Sequence, residues 1–287
     1  MPKRLPRSRT LKGDPKIAYY DSGGGVAGEA PVLLLHGATL RSEDWENVFP
    51  RLATRYRVVA YDARGHGKSE RAAGYALDDL AGDALRVLRE VVRAPAILIG
   101  HSLGGATALV VAAREAALVR GLVLVDPWLS LYRDTRWHRE PFTRLRAALD
   151  HREDPRAFAR AVAALPLAER GPRGERTVGE VRGFYSPERL GMYYRDVDPA
   201  FLDQILTPDP AGAAELASAP AAVRAPALIL AAGTDSALAP GEAERVAAAL
   251  PDAKVVRFPG VGHRIHGLRP EPFLEAIEPF LRRARSG

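Results

Sequence analysis

The chain has 287 residues, of which 47% are hydrophobic and 26% are charged, and it contains no cysteine. This length and composition are typical of a folded protein with a substantial core. The lack of cysteine excludes disulfides, thiolate catalysis and cysteine-ligated metal sites. No run approaches the roughly 18 apolar residues of a membrane helix, so no membrane span is predicted.

Most of the formal net charge of +6 lies at the N-terminus, where residues 1–16 hold six basic residues against Asp14. We interpret residues 1–14 as a basic arm exposed to solvent. Such arms can contact nucleic acid, but the remaining chain is close to neutral, and no nucleic-acid partner is expected. The arm lacks the apolar stretch of a secretory signal, which favours a cytoplasmic protein.

Short apolar runs alternate with helical patterns along the first half of the chain. Residues 16–21 are predicted to form an antiparallel edge strand, and the later runs resemble strands buried on both faces of a parallel sheet. These runs are residues 32–35, 57–61, 96–99, 122–125, 227–230 and 253–258, and the predicted helices between them are residues 43–54, 77–92 and 104–115. The alternation predicts an α/β fold with a mostly parallel sheet flanked by helices.

The alternation stops after Val125 and resumes about a hundred residues later, which is too long for a structureless loop. The intervening residues are rich in charged and aromatic side chains, and we predict a helical cap over residues 127–222. The α/β core is then predicted to comprise residues 15–126 and 223–287.

A Gly-His-Ser-Leu-Gly sequence occurs once, at residues 100–104. It follows the apolar run at 96–99 and opens the helix predicted at 104–115. A strand-to-helix turn this tight forces its central residue into a strained conformation and lifts the side chain above the carboxyl edge of the sheet. Ser102 is therefore the predicted nucleophile.

A serine nucleophile needs a base, and the base needs an orienting carboxylate. Of the seven histidines, His263 is favoured because it follows the last strand in a glycine-containing loop, whereas His266 is expected to line the site or face solvent. Two aspartates, Asp126 and Asp235, follow buried strands. Asp235 is favoured because it gives the chain order Ser, Asp, His. Asp126 remains the alternative.

An acyl-transfer site also needs donors for the developing oxyanion. The loop at residues 36–39 follows a central strand, and the backbone N–H groups of Ala38 and Leu103 are the predicted pair. Leu103 lies at a helix start, where the helix dipole favours negative charge. The predicted substrate contacts are Thr39, His101, Trp128 and Trp137.

These motifs together resemble the α/β-hydrolase superfamily with a helical cap. The matching segments are residues 32–39, 61–69, 99–106, 227–240 and 258–263. The resemblance implies a triad of Ser102, Asp235 and His263, with Ala38 and Leu103 as the oxyanion hole. Haloalkane dehalogenases and epoxide hydrolases carry aspartate in place of Ser102, and proline iminopeptidases usually carry tryptophan in place of His101, so these relatives are excluded.

The resulting expectation is a serine hydrolase, similar to carboxylesterases or lactonases, that cleaves a small-to-medium hydrophobic ester through an acyl-enzyme. The substrate is a small molecule, no cofactor or metal is implied, and a homodimer is left open. The alternatives on the same scaffold are a thioesterase, a carbon–carbon bond hydrolase, a cofactor-free perhydrolase and a ligand sensor without turnover.

Overall fold

The computed structural model describes residues 5–129, 136–171, 174–178, 191 and 194–284. Within these residues the chain forms strands β1 to β10 and helices α1 to α10. The strands are Arg9–Leu11, Ile17–Asp21, Val32–Leu35, Val58–Tyr61, Ala96–His101, Val119–Val125, Pro166–Gly171, Gly174–Thr177, Ala227–Ala232 and Ala253–Phe258. The α-helices are Phe49–Leu52, Leu77–Val87, Leu103–Arg114, Arg136–Leu149, Pro155–Ala163, Pro199–Ile205, Pro210–Ala222, Glu242–Ala249, Ile265–Leu268 and Pro270–Ala284.

Eight strands form one sheet in the order β1-β2-β4-β3-β5-β6-β9-β10. The strands from β4 to β10 along this order pair in parallel, and β1 and β2 add antiparallel pairs at one side. The predicted α/β fold class is therefore confirmed. β5 lies between β3 and β6, so the turn that follows β5 is central.

The prediction that residues 16–21 form the edge strand was wrong. Arg9–Leu11 pairs with Ile17–Asp21, so β1 is the outer strand and part of the predicted basic arm is ordered. The physical reason is that an edge strand presents unpaired N–H and C=O groups, which a nearby segment of extended chain can satisfy.

Apolar residues cover both faces of the sheet, as predicted for parallel strands. On β3, Leu33 and Leu35 pack into one buried cluster, while Val32 and Leu34 pack into a second cluster on the opposite face. Because both faces are covered, polar side chains that begin in the sheet reach solvent or substrate only at the ends of the strands.

The predicted helix at residues 43–54 is divided in two. A 3-10 helix spans Ser42–Trp45, and α1 begins only at Phe49. Pro50 lies in the first turn of α1, where its missing N–H is tolerated, whereas it would disrupt the interior of one long helix. The helix predicted at 77–92 is α2 continued by a π-helix over Leu88–Val92.

The segment between β6 and β9 contains α4, α5, a two-stranded antiparallel sheet of β7 and β8, α6 and α7. Helix α7 packs on α3, where Arg114 Nε donates to Glu215 at 2.7 Å. Asp198 connects α6 to the loop after β4, because its N–H donates to Gly65 O at 2.7 Å. None of the described helices combines the length and apolar character needed to cross a membrane.

Candidate active site

Ser102 lies in the turn between β5 and α3, with φ 52° and ψ −117°. Such a conformation costs on the order of 1–3 kcal/mol for a residue with a side chain. Two neighbouring glycines make the turn possible: a Cβ at Gly100 would lie 2.3 Å from Gly104 O, and a Cβ at Gly104 would lie 2.3 Å from Leu35 O. The strain at Ser102 is thus held by close backbone packing.

His263 lies in the loop after β10, and its Nδ1 is 2.6 Å from Asp126 Oδ2. A carboxylate can only accept, so Nδ1 carries the proton and the neutral ring keeps Nε2 as an acceptor. Asp126 is fully buried and His263 is partly exposed. This pair has the composition and tautomer of a general base with its orienting acid.

The expected pairing of His263 with Asp235 is corrected by this contact. Val125 pairs with His101 across the β5–β6 ladder, and Ser102 N donates to Val125 O at 3.0 Å, so Asp126 lies beside the nucleophile turn. Asp235 follows β9, one strand farther from β5. The order of the strands in the sheet differs from their order along the chain, so it could not be read from the sequence.

The loop after β9 wraps around the Asp126 carboxylate. Oδ1 accepts from Ala232 N at 2.9 Å and from Ser236 Oγ at 2.6 Å, and Oδ2 also accepts from Ala237 N at 2.8 Å. These donors fix the orientation of the carboxylate. The loop that carries Asp235 therefore supports the acid that contacts His263.

The predicted oxyanion donors lie on both sides of Ser102. A Cβ at Gly37 would lie 3.2 Å from Ser102 Cβ, so the loop after β3 approaches the nucleophile closely. Within the described part of the chain, neither Ala38 N–H nor Leu103 N–H donates to a protein acceptor. Two unsatisfied donors beside a nucleophile suit a developing oxyanion.

Thr39 is buried with φ 61°. Its hydroxyl donates to Ala38 O at 2.6 Å, and its N–H donates to His66 Nε2 at 3.3 Å. Burial lowers the pKa of His66 to about 3, which keeps the ring neutral and able to accept. The predicted substrate residue Thr39 is thus engaged in holding the loop of Ala38.

The structure places two further histidines of the prediction in the interior. His101 was predicted to contact substrate and His266 to line the site or face solvent, yet 1% and 0% of their surfaces are exposed. Both rings are buried, and a ring nitrogen of each lies close to the Asp44 carboxylate. Neither the acid Asp44 nor its partner Arg264 was found from the sequence, because they belong to no recognisable motif.

Trp128 lies where the chain leaves β6 for the predicted cap. Its N–H donates to Ser102 O at 3.1 Å, and its buried ring meets Phe142 edge to face with centroids 6.0 Å apart. The other predicted contact, Trp137, belongs to α4, but its side chain lies outside the described residues. Trp128 is therefore attached to the Ser102 turn through its backbone, and its ring packs against Phe142.

One described group has the residue types and spacing of a metal site, namely Asp44, His101 and His266, whose ligand atoms lie within 4.8 Å of one another. The guanidinium of Arg264 already contacts Asp44 Oδ1, and His266 Nε2 lies 2.8 Å from Oδ2. The carboxylate charge is therefore matched by arginine. This ion pair disfavours a divalent cation at the same carboxylate.

Comparison with known proteins shows that this chain is similar to hydrolases. Residues 32–276 match the model of a family described as the alpha/beta hydrolase family. The 2-(acetamidomethylene)succinate hydrolase of Mesorhizobium japonicum is 30% identical over 268 residues, covering 88% of this chain and 89% of the relative. The solved esterase RhEst1 of Rhodococcus sp. has a TM-score of 0.73 at 26% identity, covering 97% of this chain and 98% of its own. A solved E-2-(acetamidomethylene)succinate hydrolase has a TM-score of 0.62 at 25% identity, with coverages of 96% and 99%.

Proposed function

The chain belongs to the alpha/beta hydrolase family, and from that premise we propose that it is a serine hydrolase with Ser102 as nucleophile, His263 as base and Asp126 as acid. The observation that carries the proposal is the 2.6 Å contact between His263 Nδ1 and Asp126 Oδ2, at the same edge of the sheet as the Ser102 turn. A buried carboxylate that orders a partly exposed imidazole beside a strained serine is the arrangement that acyl transfer needs.

In the proposed reaction, His263 Nε2 removes the proton of the Ser102 hydroxyl while Oγ attacks the substrate carbonyl. The tetrahedral oxyanion accepts hydrogen bonds from Ala38 and Leu103 N–H. Collapse of this intermediate breaks the ester bond, and His263 returns the proton to the leaving alcohol. Water then attacks the acyl-enzyme by the same steps, which releases the acid and restores Ser102.

Asp126 has two roles in this scheme. It holds the imidazole in the tautomer that leaves Nε2 free to accept, and it stabilises the imidazolium that forms after proton transfer. Its hydrogen bonds from Ala232, Ser236 and Ala237 keep the carboxylate aimed at His263. A carboxylate fixed in this way needs no reorganisation during the reaction.

The proposed substrate is a small-to-medium hydrophobic ester or lactone. Trp128 supports this choice, because its backbone adjoins the Ser102 turn and its ring packs with the ring of Phe142. The similarity to an esterase of Rhodococcus points the same way. In this proposal residues 127–222 act as the cap that shapes the pocket. The absence of a cofactor and the cytoplasmic location stay predictions from the sequence, and a homodimer stays open.

A second candidate is hydrolysis of an amide in an acylamino dicarboxylate. It is favoured by one observation, the 30% identity over nearly the full length of a 2-(acetamidomethylene)succinate hydrolase. The same nucleophile, base and oxyanion donors serve ester and amide carbonyls. The two candidate functions differ in the substrate that the enzyme cleaves, so turnover assays separate them.

The test is a panel of p-nitrophenyl esters of increasing acyl length, aliphatic lactones, thioesters, a diketone and 2-(acetamidomethylene)succinate, assayed with wild type and Ser102→Ala. We expect turnover of short and medium esters that is lost in the variant, and covalent labelling of Ser102 by a fluorophosphonate. Preferred cleavage of 2-(acetamidomethylene)succinate would select the second candidate. Turnover of a diketone alone would indicate a carbon–carbon hydrolase, and tight binding without turnover would indicate a sensor.

A further inference from the structure

We propose that Asp44 is a positioning residue which, through Arg264 and His266, holds the loop of His263 in place, while His101 holds the backbone of His263. The inference rests on the proposed function, because it assigns a task to groups that contact the catalytic elements. Asp44 belongs to the 3-10 helix Ser42–Trp45, which follows the oxyanion loop directly in sequence. We refer to Asp44, His101, Arg264 and His266 as the lower cluster.

The lower cluster binds the base loop at two side chains. The Arg264 guanidinium forms an ion pair with Asp44 Oδ1, and His266 Nε2 donates to Asp44 Oδ2 at 2.8 Å. Trp45 stacks on His266, with ring centroids 4.1 Å apart. All of these residues are buried. One carboxylate therefore fixes the residues one and three positions after His263.

His101 adds a third attachment, at the backbone of His263 itself. A carbonyl only accepts hydrogen bonds, so His101 Nε2 donates to His263 O across 3.2 Å. The other nitrogen, Nδ1, lies 3.6 Å from Asp44 Oδ2. The His101 and His263 rings are in contact, with centroids 4.6 Å apart.

The same His101 ring touches the oxyanion loop. A Cβ at Gly37 would lie 2.8 Å from His101 Nδ1, so the His101 ring is in close contact with Gly37. The ring also contacts His263, and His101 directly precedes Ser102 in sequence. Nucleophile, base and oxyanion loop thus all meet one buried side chain that Asp44 faces. A displacement of the lower cluster would move these three parts relative to one another, and acyl transfer is sensitive to displacements below about 1 Å.

The charges of the lower cluster suit a permanent structural network. Burial alone would raise the pKa of Asp44, but Arg264 and His266 outweigh it and hold that pKa well below its usual range. Burial lowers the pKa of His101 and of His266, so both rings are neutral. One carboxylate and one guanidinium then balance, and a divalent cation would add uncompensated charge to a closed site.

The test compares Asp44→Asn and His101→Phe with wild type in the full-length enzyme. Asp44→Asn removes the charge that holds Arg264, and His101→Phe removes the donor to His263 O while it fills the ring volume. We expect kcat to fall by about 10- to 100-fold with KM unchanged, as for a misplaced catalytic group. The rate of labelling by a fluorophosphonate should fall by the same factor. His101→Gln, which can donate to His263 O, should restore part of kcat.

Asp83→Asn is the matched control, because Asp83 is also a buried aspartate paired with an arginine, at 2.6 Å from Arg64 Nε, but on α2 away from the base loop. It should lower the melting temperature and leave kcat and the labelling rate unchanged. If Asp44→Asn does not fold, His101→Phe and His101→Gln decide the question.

If wild type is labelled and turns over substrate, and the folded lower-cluster variants have the same kcat as wild type, this inference is overturned while the proposed function stands. Wild type that neither labels nor turns over any substrate would overturn the proposed function and the inference with it. Stoichiometric zinc in the purified protein, lost in His266→Gln, would also overturn the inference, because the cluster would then be a metal site.

Discussion

The described part of the chain contains two aspartate–histidine contacts of similar length, which we call the upper pair, Asp126 and His263, and the lower pair, Asp44 and His266. Asp126 lies 2.6 Å from His263, and Asp44 lies 2.8 Å from His266. Both aspartates are fully buried, but 19% of the His263 side chain is exposed, whereas His266 is sealed. The pair alone therefore does not identify a catalytic site.

What separates the pairs is the remaining ring nitrogen and the neighbouring charges. In the upper pair His263 Nδ1 meets the carboxylate, and the ring reaches the surface beside Ser102. In the lower pair Trp45 covers His266, and Arg264 shares the Asp44 carboxylate. An exposed imidazole with an ordered tautomer can exchange protons with a substrate, while a buried one contributes contacts. Substitutions in each pair test this distinction.

The largest effect is expected at Ser102 and His263. Ser102→Ala and His263→Ala should each lower kcat by about 10⁴-fold or more, and the double variant should be no worse, because triad members act as a unit. Steady-state kinetics on the best ester of the panel measures this, with circular dichroism as a control for folding. Additive losses in the double variant would argue that the two residues act independently.

The second prediction tests which carboxylate, Asp126 or Asp235, orients His263. Asp126→Asn should lower kcat by about 10⁴-fold, because the imidazole would adopt the wrong tautomer. Asp235→Asn is the matched control from the neighbouring loop, and its loss should stay below about tenfold, or about 1.4 kcal/mol of transition-state energy. The reverse ranking of the two variants would return the role of acid to Asp235.

A smaller effect is expected when the histidine of the lower pair is replaced. His266→Gln keeps a donor toward Asp44, so kcat should fall by less than about tenfold, or about 1.4 kcal/mol. The lost stacking on Trp45 should appear as a lower melting temperature, measured by differential scanning calorimetry. A loss as large as that of His263→Ala would mean that the base had been assigned to the wrong ring.

The last prediction concerns stability rather than catalysis, at buried His66, which contacts no carboxylate among the described residues. His66 accepts from Thr39 N, and its Nδ1 lies 2.8 Å from Arg64 O. Its folded-state pKa of about 3 lies below the unfolded value near 6.5, so the unfolded chain binds a proton first. Stability should therefore fall as pH falls, and His66 should contribute about 2 kcal/mol of that loss between pH 7 and 5.

Urea unfolding of wild type and His66→Gln at both pH values measures this contribution, since glutamine offers a donor and an acceptor but does not titrate. The difference in unfolding free energy between the two proteins should shrink by that amount at pH 5. Parallel pH dependences in wild type and His66→Gln would show that His66 carries its proton in the folded state as well.

The local parts of the candidate site could be predicted from the sequence. Ser102 follows from a short motif between an apolar run and a helix, because the constraints on that turn involve neighbouring residues. His263 follows from its place after the last strand. In both cases the prediction depends only on neighbouring residues, so the sequence is enough to make it.

The partners of these residues could not be predicted in the same way. Asp126 and Asp235 both follow buried strands, and only the order β5-β6-β9 in the sheet places Asp126 at His263. His101 and His266 were misjudged for a similar reason, since their burial depends on Asp44, more than fifty residues before either. Long-range pairings of this kind leave no periodic signal in the sequence.

The α/β class and the candidate roles of Ser102 and His263 follow from the amino-acid sequence, because apolar periodicity and tight glycine turns involve only residues that are close together in the chain. The tertiary structure decided which carboxylate meets His263, which histidines are buried, and that Arg9–Leu11 closes the edge of the sheet. These outcomes depend on which strands lie side by side and on which charges are then buried together, and both are properties of the packed molecule.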